Sequence, residues 1–276
     1  MAAVDGARRE VDLLADHDRG WAVNGQPGGL PGLVMAFIGQ AVAYFGAVGL
    51  VWLLAWKVFA KQLAQRKVPT PRPSDRAQLI HEVKYSLSTL AFGTLGVVVV
   101  SWWSDHGYAT LSSNASDFTP LQLAVTFFGL LLLNDLWFYG FHRLLHTPWA
   151  FKHIHSVHHR SVEVTPFSSY SFHPIEGLLL GGWIYPVALL IPVYLPMLGA
   201  LQGLGLMNNV MSHLGYELWP KWLLRVPGLR WLNSATFHSM HHTGVHGNFG
   251  LMLRVWDRLL GTALPGYDAV FLARGE

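Results

Sequence analysis

The sequence contains no cysteine, which excludes a disulfide framework, a thiolate-bound metal and an iron–sulfur cluster within the chain. Any metal it holds is held by nitrogen and oxygen. Charge is scarce as well: Asp, Glu, Lys and Arg make up 13% of 276 residues, against 51% hydrophobic residues and 12 tryptophans. That balance excludes an average soluble domain and reads as a membrane protein. The formal net charge of +3 is too small to suggest nucleic acid, and the basic residues gather in loops, which is a topology signal. No dinucleotide-binding glycine fingerprint follows a strand. The N-terminus lacks the basic start and short apolar core of a signal peptide. Residues 1–29 are polar and end in Gly25, Gln26, Pro27, Gly28 and Gly29, and they read as an irregular or surface-lying segment ahead of one membrane-embedded domain over 30–276.

What the sequence does have is histidine. The stretch from His142 to His159 reads HRLLHTPWAFKHIHSVHH, with six histidines among eighteen residues. A neutral imidazole nitrogen offers its lone pair to borderline transition metals near physiological pH. His142 and His146 are four apart and share one face, one turn apart, if the preceding helix continues through them. His155, His158 and His159 repeat the spacing on an expected helical face, where the adjacent pair can diverge toward two ions. His238, His241 and His242 form a second copy about eighty positions later. Eight histidines exceed what one tetrahedral ion can use, so the spacing predicts a dinuclear site. Any one of them alone is more often a satisfied core residue; the repeated spacing carries the inference.

Three long apolar runs, about Leu30 to Trp56, Tyr85 to Trp103 and Leu121 to Phe141, are long enough to span a bilayer. A fourth, Leu178 to about Met211, is interrupted by Pro186, Pro192 and Pro196 and predicts a helical hairpin, spanning or re-entrant. The fold class is therefore all-α: a polytopic membrane protein with about four to five transmembrane or re-entrant helices and a histidine-rich di-metal cap. Lys57, Lys61, Arg66, Lys67, Arg72 and Arg76 follow the first run, and Lys221, Arg225 and Arg230 follow the hairpin, which places the histidine groups on the cytoplasmic side. Asp135, Tyr139, His142 and His146 advance by four, three and four residues in one stripe. An acid inside a span is costly and marks function, and Asp135 is expected to orient a ligating histidine by accepting its far ring proton. The hairpin returns Asn209 and His213 to the histidine groups, with Asn209 in a supporting role.

These motifs resemble the fatty acid hydroxylase and sterol desaturase superfamily of integral membrane histidine-box oxygenases. The resemblance rests on HRLLH at 142–146, HSVHH at 155–159, HSMHH at 238–242, NFG at 248–250 and WDRLLGT at 256–262, and covers roughly Asp135 to Thr262. TPFSSYSFHPIEG, with Asn209 and His213 of NVMSH, is most similar to the sterol desaturase and sterol methyl oxidase branch. The resemblance implies two iron ions held by His142, His146, His155, His158, His159, His213, His238, His241 and His242. It also implies dioxygen as co-substrate and hydroxylation or desaturation of an unactivated C–H position of a sterol-type or fatty-acyl lipid. Zinc suits the same ligands but has no redox chemistry. His173 is read as a pocket or supporting residue, and His153 and His246 as surface or supporting histidines. Trp137, Phe138, Phe167, Phe172 and Trp183 are candidate pocket walls. The electron donor implied is a separate b-type cytochrome or a ferredoxin with its reductase, docking on the basic face.

Two rivals stand beside this reading. One is a desaturase without net hydroxylation, distinguished by one oxygen atom in the product. The other is a non-catalytic histidine-rich metal-binding or transport protein, which would place its ligands near the bilayer midplane on broken helices. A bacterial inner membrane is expected ahead of an endoplasmic reticulum, because the C-terminal LARGE carries no lysine-based retrieval signal.

Overall fold

Asp75 starts a helix that begins beside the histidines, and Thr119 starts one that runs toward them. The Asp75 carboxylate accepts from Gln78 N at 2.7 Å, and Thr119 and Gln122 form a reciprocal capping box ahead of Pro120, so both helix starts satisfy amides that would otherwise be orphaned. The computed structural model describes residues 29–274; the polar segment expected over 1–29 lies, apart from Gly29, outside the described residues. Helix α1 (Gly29–Leu53) continues as a π-helical turn to Val58, α2 covers Arg76–Asp105 and α3 covers Pro120–Leu145. All three are long and apolar enough to cross a membrane. They are inside-out relative to a soluble helix: α2 buries Gln78, Glu82, Ser86, Leu90, Thr94 and Val98 at intervals of four, while Leu87 and Leu95 face outward. Such a pattern is stable where the surroundings are lipid, because the apolar face needs no protein cover there. The chain is a membrane protein.

Helix α2 begins at Arg76 and not near Tyr85, as hydrophobicity alone suggests. Its added turns are polar because they meet protein. Gln78 Nε2 donates to Glu163 O at 2.8 Å, and Glu82 accepts from Thr165 Oγ1 at 2.6 Å, which ties the helix to the segment after the second histidine group.

Beyond α3 come α4 (Pro148–His153), a 3₁₀ turn at His155–Arg160 and another at Pro166–Tyr170. The hairpin follows as α5 (Pro174–Gly181), α6 (Ile184–Leu190) and α7 (Leu195–Ser212). Between α6 and α7, Val193–Tyr194 pairs in parallel with Leu111–Ser112, joining the hairpin's far end to the α2–α3 connection. Helix α8 (Ala235–Gly244), α9 (Val255–Leu259) and α10 (Tyr267–Leu272) complete the described chain. One core cluster, built on Phe138, Leu145, Ile154, Phe172, Leu180 and Leu251, packs directly beneath the histidines.

Candidate metal centre

The histidines converge from four separate segments. His142 lies in the last turn of α3 and His146 is its C-terminal cap; His155, His158 and His159 lie on the 3₁₀ turn; His213 caps α7; His238, His241 and His242 lie on α8. The second group therefore rides on a 3₁₀ turn, where an α-helical face was expected. Its tighter winding still divides the adjacent pair.

Two ligand sets result: His142, His146, His155, His159 and His241 in one, and His158, His213, His238 and His242 in the other, with the nitrogens of each set within 4.8 Å of one another. His158 and His159 go to different sets, and so do His241 and His242.

The ring contacts test whether this geometry suits metal. His142 Nδ1 donates to Phe249 O at 2.8 Å and His155 Nδ1 to Glu176 Oε1 at 2.7 Å. With the Nδ1 protons so committed, the facing Nε2 atoms carry lone pairs, yet they lie only 3.2 Å apart. The second set repeats this: His213 Nδ1 donates to Asn209 O at 2.8 Å and His158 Nδ1 to Ser171 O at 3.3 Å, and their Nε2 atoms are 3.3 Å apart. Facing lone pairs repel unless a cation lies between them. Two nitrogens each about 2.1 Å from one ion are separated by roughly 3.0 to 3.4 Å, so the spacing is that of neighbouring ligands in one coordination shell. The Nε2 atoms of His146 and His241 are buried with no hydrogen-bond partner among the described residues, which leaves them free as ligand atoms. His241 Nδ1 donates to Gly247 O at 2.7 Å, the same device again.

Electrostatics agree. Burial, and after it the neighbouring imidazoles, hold His155, His158, His238, His241 and His242 well below the usual histidine range. The rings are therefore neutral, the form that ligates. Burial pushes the Glu176 carboxyl well above the usual carboxylate range, so a charge behind His155 would be stabilised by cations in the two sets.

Asp135 does something other than what its position in the stripe suggests. Its carboxylate accepts from Met252 N at 2.7 Å, Leu253 N at 3.2 Å and Trp256 Nε1 at 2.8 Å, and it touches no histidine. It fixes the 252–256 segment, which follows the loop whose Phe249 carbonyl accepts from His142. Asn209 supports His213 through its backbone carbonyl, while its side-chain amide donates to Ser169 O. His153 and His246 are exposed, and His173 caps α5 by accepting from Ile175 N. None of the three joins either set.

Sequence reasoning missed Glu176 and Asp257. Glu176 stands within the quoted HPIE motif, and its one signal was an acid heading an apolar helix. Asp257 accepts from Phe249 N and Gly250 N, both at 2.8 Å, and from Thr262 Oγ1 at 2.7 Å, shaping the loop whose carbonyls hold His142 and His241. Asn248, at a left-handed φ of 61°, pins the same loop by accepting from Leu264 N and donating to Phe237 O. Asparagine tolerates that conformation better than most residues.

A cavity of about 520 Å³ runs from beside the histidines along α2, between α3, α5 and α7. Phe138, Phe172 and Trp183 line it as expected. Trp137 instead donates its indole N–H to Leu179 O, and Phe167 packs on Trp52. Phe172 reaches His158 and Phe138 reaches His142, with ring centroids 4.8 and 5.1 Å apart, so the cavity ends at the two histidine sets.

Residues 127–262 match the family model described as Fatty acid hydroxylase and form a domain of that family. Over 191 residues it is 30% identical to a Delta(7)-sterol 5(6)-desaturase of Eremothecium gossypii, covering 67% of this chain and 51% of that protein. It is 33% identical over 149 residues to methylsterol monooxygenase 1 of Gallus gallus, covering 54% and 48% respectively. It is 28% identical over 191 residues to lathosterol oxidase of Homo sapiens, covering 67% and 61%. The chain spans about half the length of the curated relatives it matches. No solved structure matches it.

Proposed function

We propose that this chain is a membrane-embedded, O2-dependent lipid oxidoreductase that uses two iron ions to hydroxylate or desaturate an unactivated C–H position of a sterol-type or fatty-acyl lipid. The observation that supports it best is the junction of two all-nitrogen ligand sets with the inner end of an apolar cavity. The relatives named as sterol desaturases and methylsterol monooxygenases point to the same class of reaction. Iron held by these histidines would supply reductive activation of dioxygen, which a redox-inert ion such as zinc cannot. The chain's own residues do the rest. His142, His146, His155, His159 and His241 would hold one ion, and His158, His213, His238 and His242 the other. Glu176 and the carbonyls of Phe249, Ser171, Asn209 and Gly247 fix the ring orientations by accepting Nδ1 protons. Phe138 and Phe172 close the cavity against the ligands and keep water from the attacked carbon.

Electrons would arrive from a separate carrier, a b-type cytochrome or a ferredoxin with its reductase, on the histidine side. That side carries the basic 57–76 segment: Lys67 pairs with Glu163 at 3.0 Å and Arg72 reaches Arg160 O. Short basic connections stay in the cytoplasm, which supports a cytoplasmic position for the histidine face.

The metal-transport alternative is disfavoured by position, since the ligands cap the helix ends and the cavity is walled by apolar helices. The test is metal analysis with iron-sensitive spectroscopy on protein made in iron-replete cells, followed by lipid mass spectrometry of those cells. About two irons per chain are expected, with one set emptied by His241→Ala and the other by His158→Ala, and with an oxidised lipid lost in both variants. Iron content unchanged by both substitutions overturns the reading. A product heavier by one oxygen assigns hydroxylation, and one lighter by two hydrogens assigns desaturation.

A further inference from the structure

Asn134 is 5% exposed and lines the cavity, yet its amide makes no hydrogen bond to any described residue. Three other amides nearby are engaged: Asn208 Nδ2 donates to Leu251 O, Asn209 Nδ2 to Ser169 O and Gln40 Nε2 to Thr94 Oγ1; Gln202, also on the cavity wall, is exposed, whereas Asn134 is buried. A polar group left unpaired inside a membrane helix is costly and needs a reason. Opposite it α7 offers Gly205, where even an added Cβ would stand 4.0 Å from Asn134 Nδ2. At that position α7 presents no side chain to the amide, and the Met252 methyl beside it is apolar.

The position is informative. Asn134, Phe138 and His142 follow one another at intervals of four on α3, so the amide stands two turns, about 12 Å of helix rise, from a metal ligand. The Tyr170 hydroxyl also lines the cavity without a partner among the described residues. The single charged residue among the described lining residues is Asp105, at the other end of the cavity, sixteen residues or about 24 Å along α2 from Thr89. No described cation is available to a carboxylate or phosphate in the inner half.

Resting on the proposed lipid oxidation, we propose that Asn134 is a specificity-determining residue that hydrogen-bonds an uncharged hydroxyl of the lipid. It holds that polar end within about two helical turns of the histidines and leaves the apolar remainder to extend along α2. A neutral amide both donates and accepts, as a hydroxyl does. It cannot compensate a buried carboxylate, so the site discriminates against free fatty acids, and an occupant lacking the hydroxyl leaves the amide unpaired.

The test is competition against radiolabelled cholesterol on the metal-loaded, detergent-purified chain, using cholesterol, its hydroxyl-free parent cholestane and palmitate. Wild type is expected to bind cholesterol roughly tenfold more tightly than cholestane, and palmitate more weakly still. Asn134→Leu should erase the preference for the alcohol without changing iron content or cholestane binding, and Asn134→Gln should keep part of it. Retention of the preference in Asn134→Leu overturns the assignment. So does a wild type that binds alcohol and hydrocarbon equally, a result needing no variant to fold and leaving the lipid oxidation intact. A wild type that binds none of the three overturns both.

Discussion

His155 Nδ1 lies 2.7 Å from Glu176 Oε1, and both side chains are fully buried. The carboxylate fixes the ring's tautomer and makes its Nε2 a stronger donor. Glu176→Ala should weaken iron in the five-histidine set by about 10- to 100-fold while leaving the four-histidine set loaded. Titration of the metal-free protein checks this, and equal loss from both sets would mean that Glu176 supports the fold and not one ligand.

Asp135 binds three donors of the 252–256 segment across more than a hundred residues of sequence. Asp135→Leu strands them and should cost roughly 3 to 5 kcal/mol. Thermal unfolding in detergent should show a large drop; a wild-type melting curve would show that the segment finds other partners.

Gly250 tests the loop that carries the Phe249 carbonyl. A Cβ there would run into the Leu253 carbonyl oxygen and stand 3.1 Å from Asp257 Oδ2. Gly250→Ala should displace the carbonyl that holds His142 and lower iron content at the five-histidine set, even where the protein still purifies. Unchanged iron would show that the loop relaxes around the added carbon.

Acid should undo the centre. The buried rings of His155, His158, His238, His241 and His242 sit well below the ordinary value of 6.5, whereas in the unfolded chain they take up protons near it. Below that pH the unfolded state binds more protons, so stability rises with pH and falls on acidification. Each ring contributes at most about 1.4 kcal/mol per pH unit below the ordinary value. Metal-free protein, prepared with a chelator, should melt at progressively lower temperature from about pH 7 to about pH 5. A flat or rising melting temperature across that window contradicts neutral buried rings.

Much of this was legible in the sequence, because its signals were local. Histidines spaced by three and four residues, apolar runs of span length and Pro192 between two helices each report a short stretch of chain. The unread parts depend on distant segments meeting. Glu176 reaches His155 only because the chain reverses through the Pro166–Tyr170 turn. The stripe from Asp135 to His146 is real as a buried face, but what an acid on that face touches is decided by residues 252–256. The early start of α2 was hidden for the same reason: hydropathy sees Gln78 and Glu82 as polar, and only the 163–165 segment shows them to be interior.

The parting of His158 from His159, and of His241 from His242, links the two ion sites in a further way. Each of these backbone segments serves both, so whichever ion arrives first arranges rings for the one that follows. Occupancy of the two sites would then be coupled. A substitution that empties one set would loosen, without abolishing, the other set's hold on its ion.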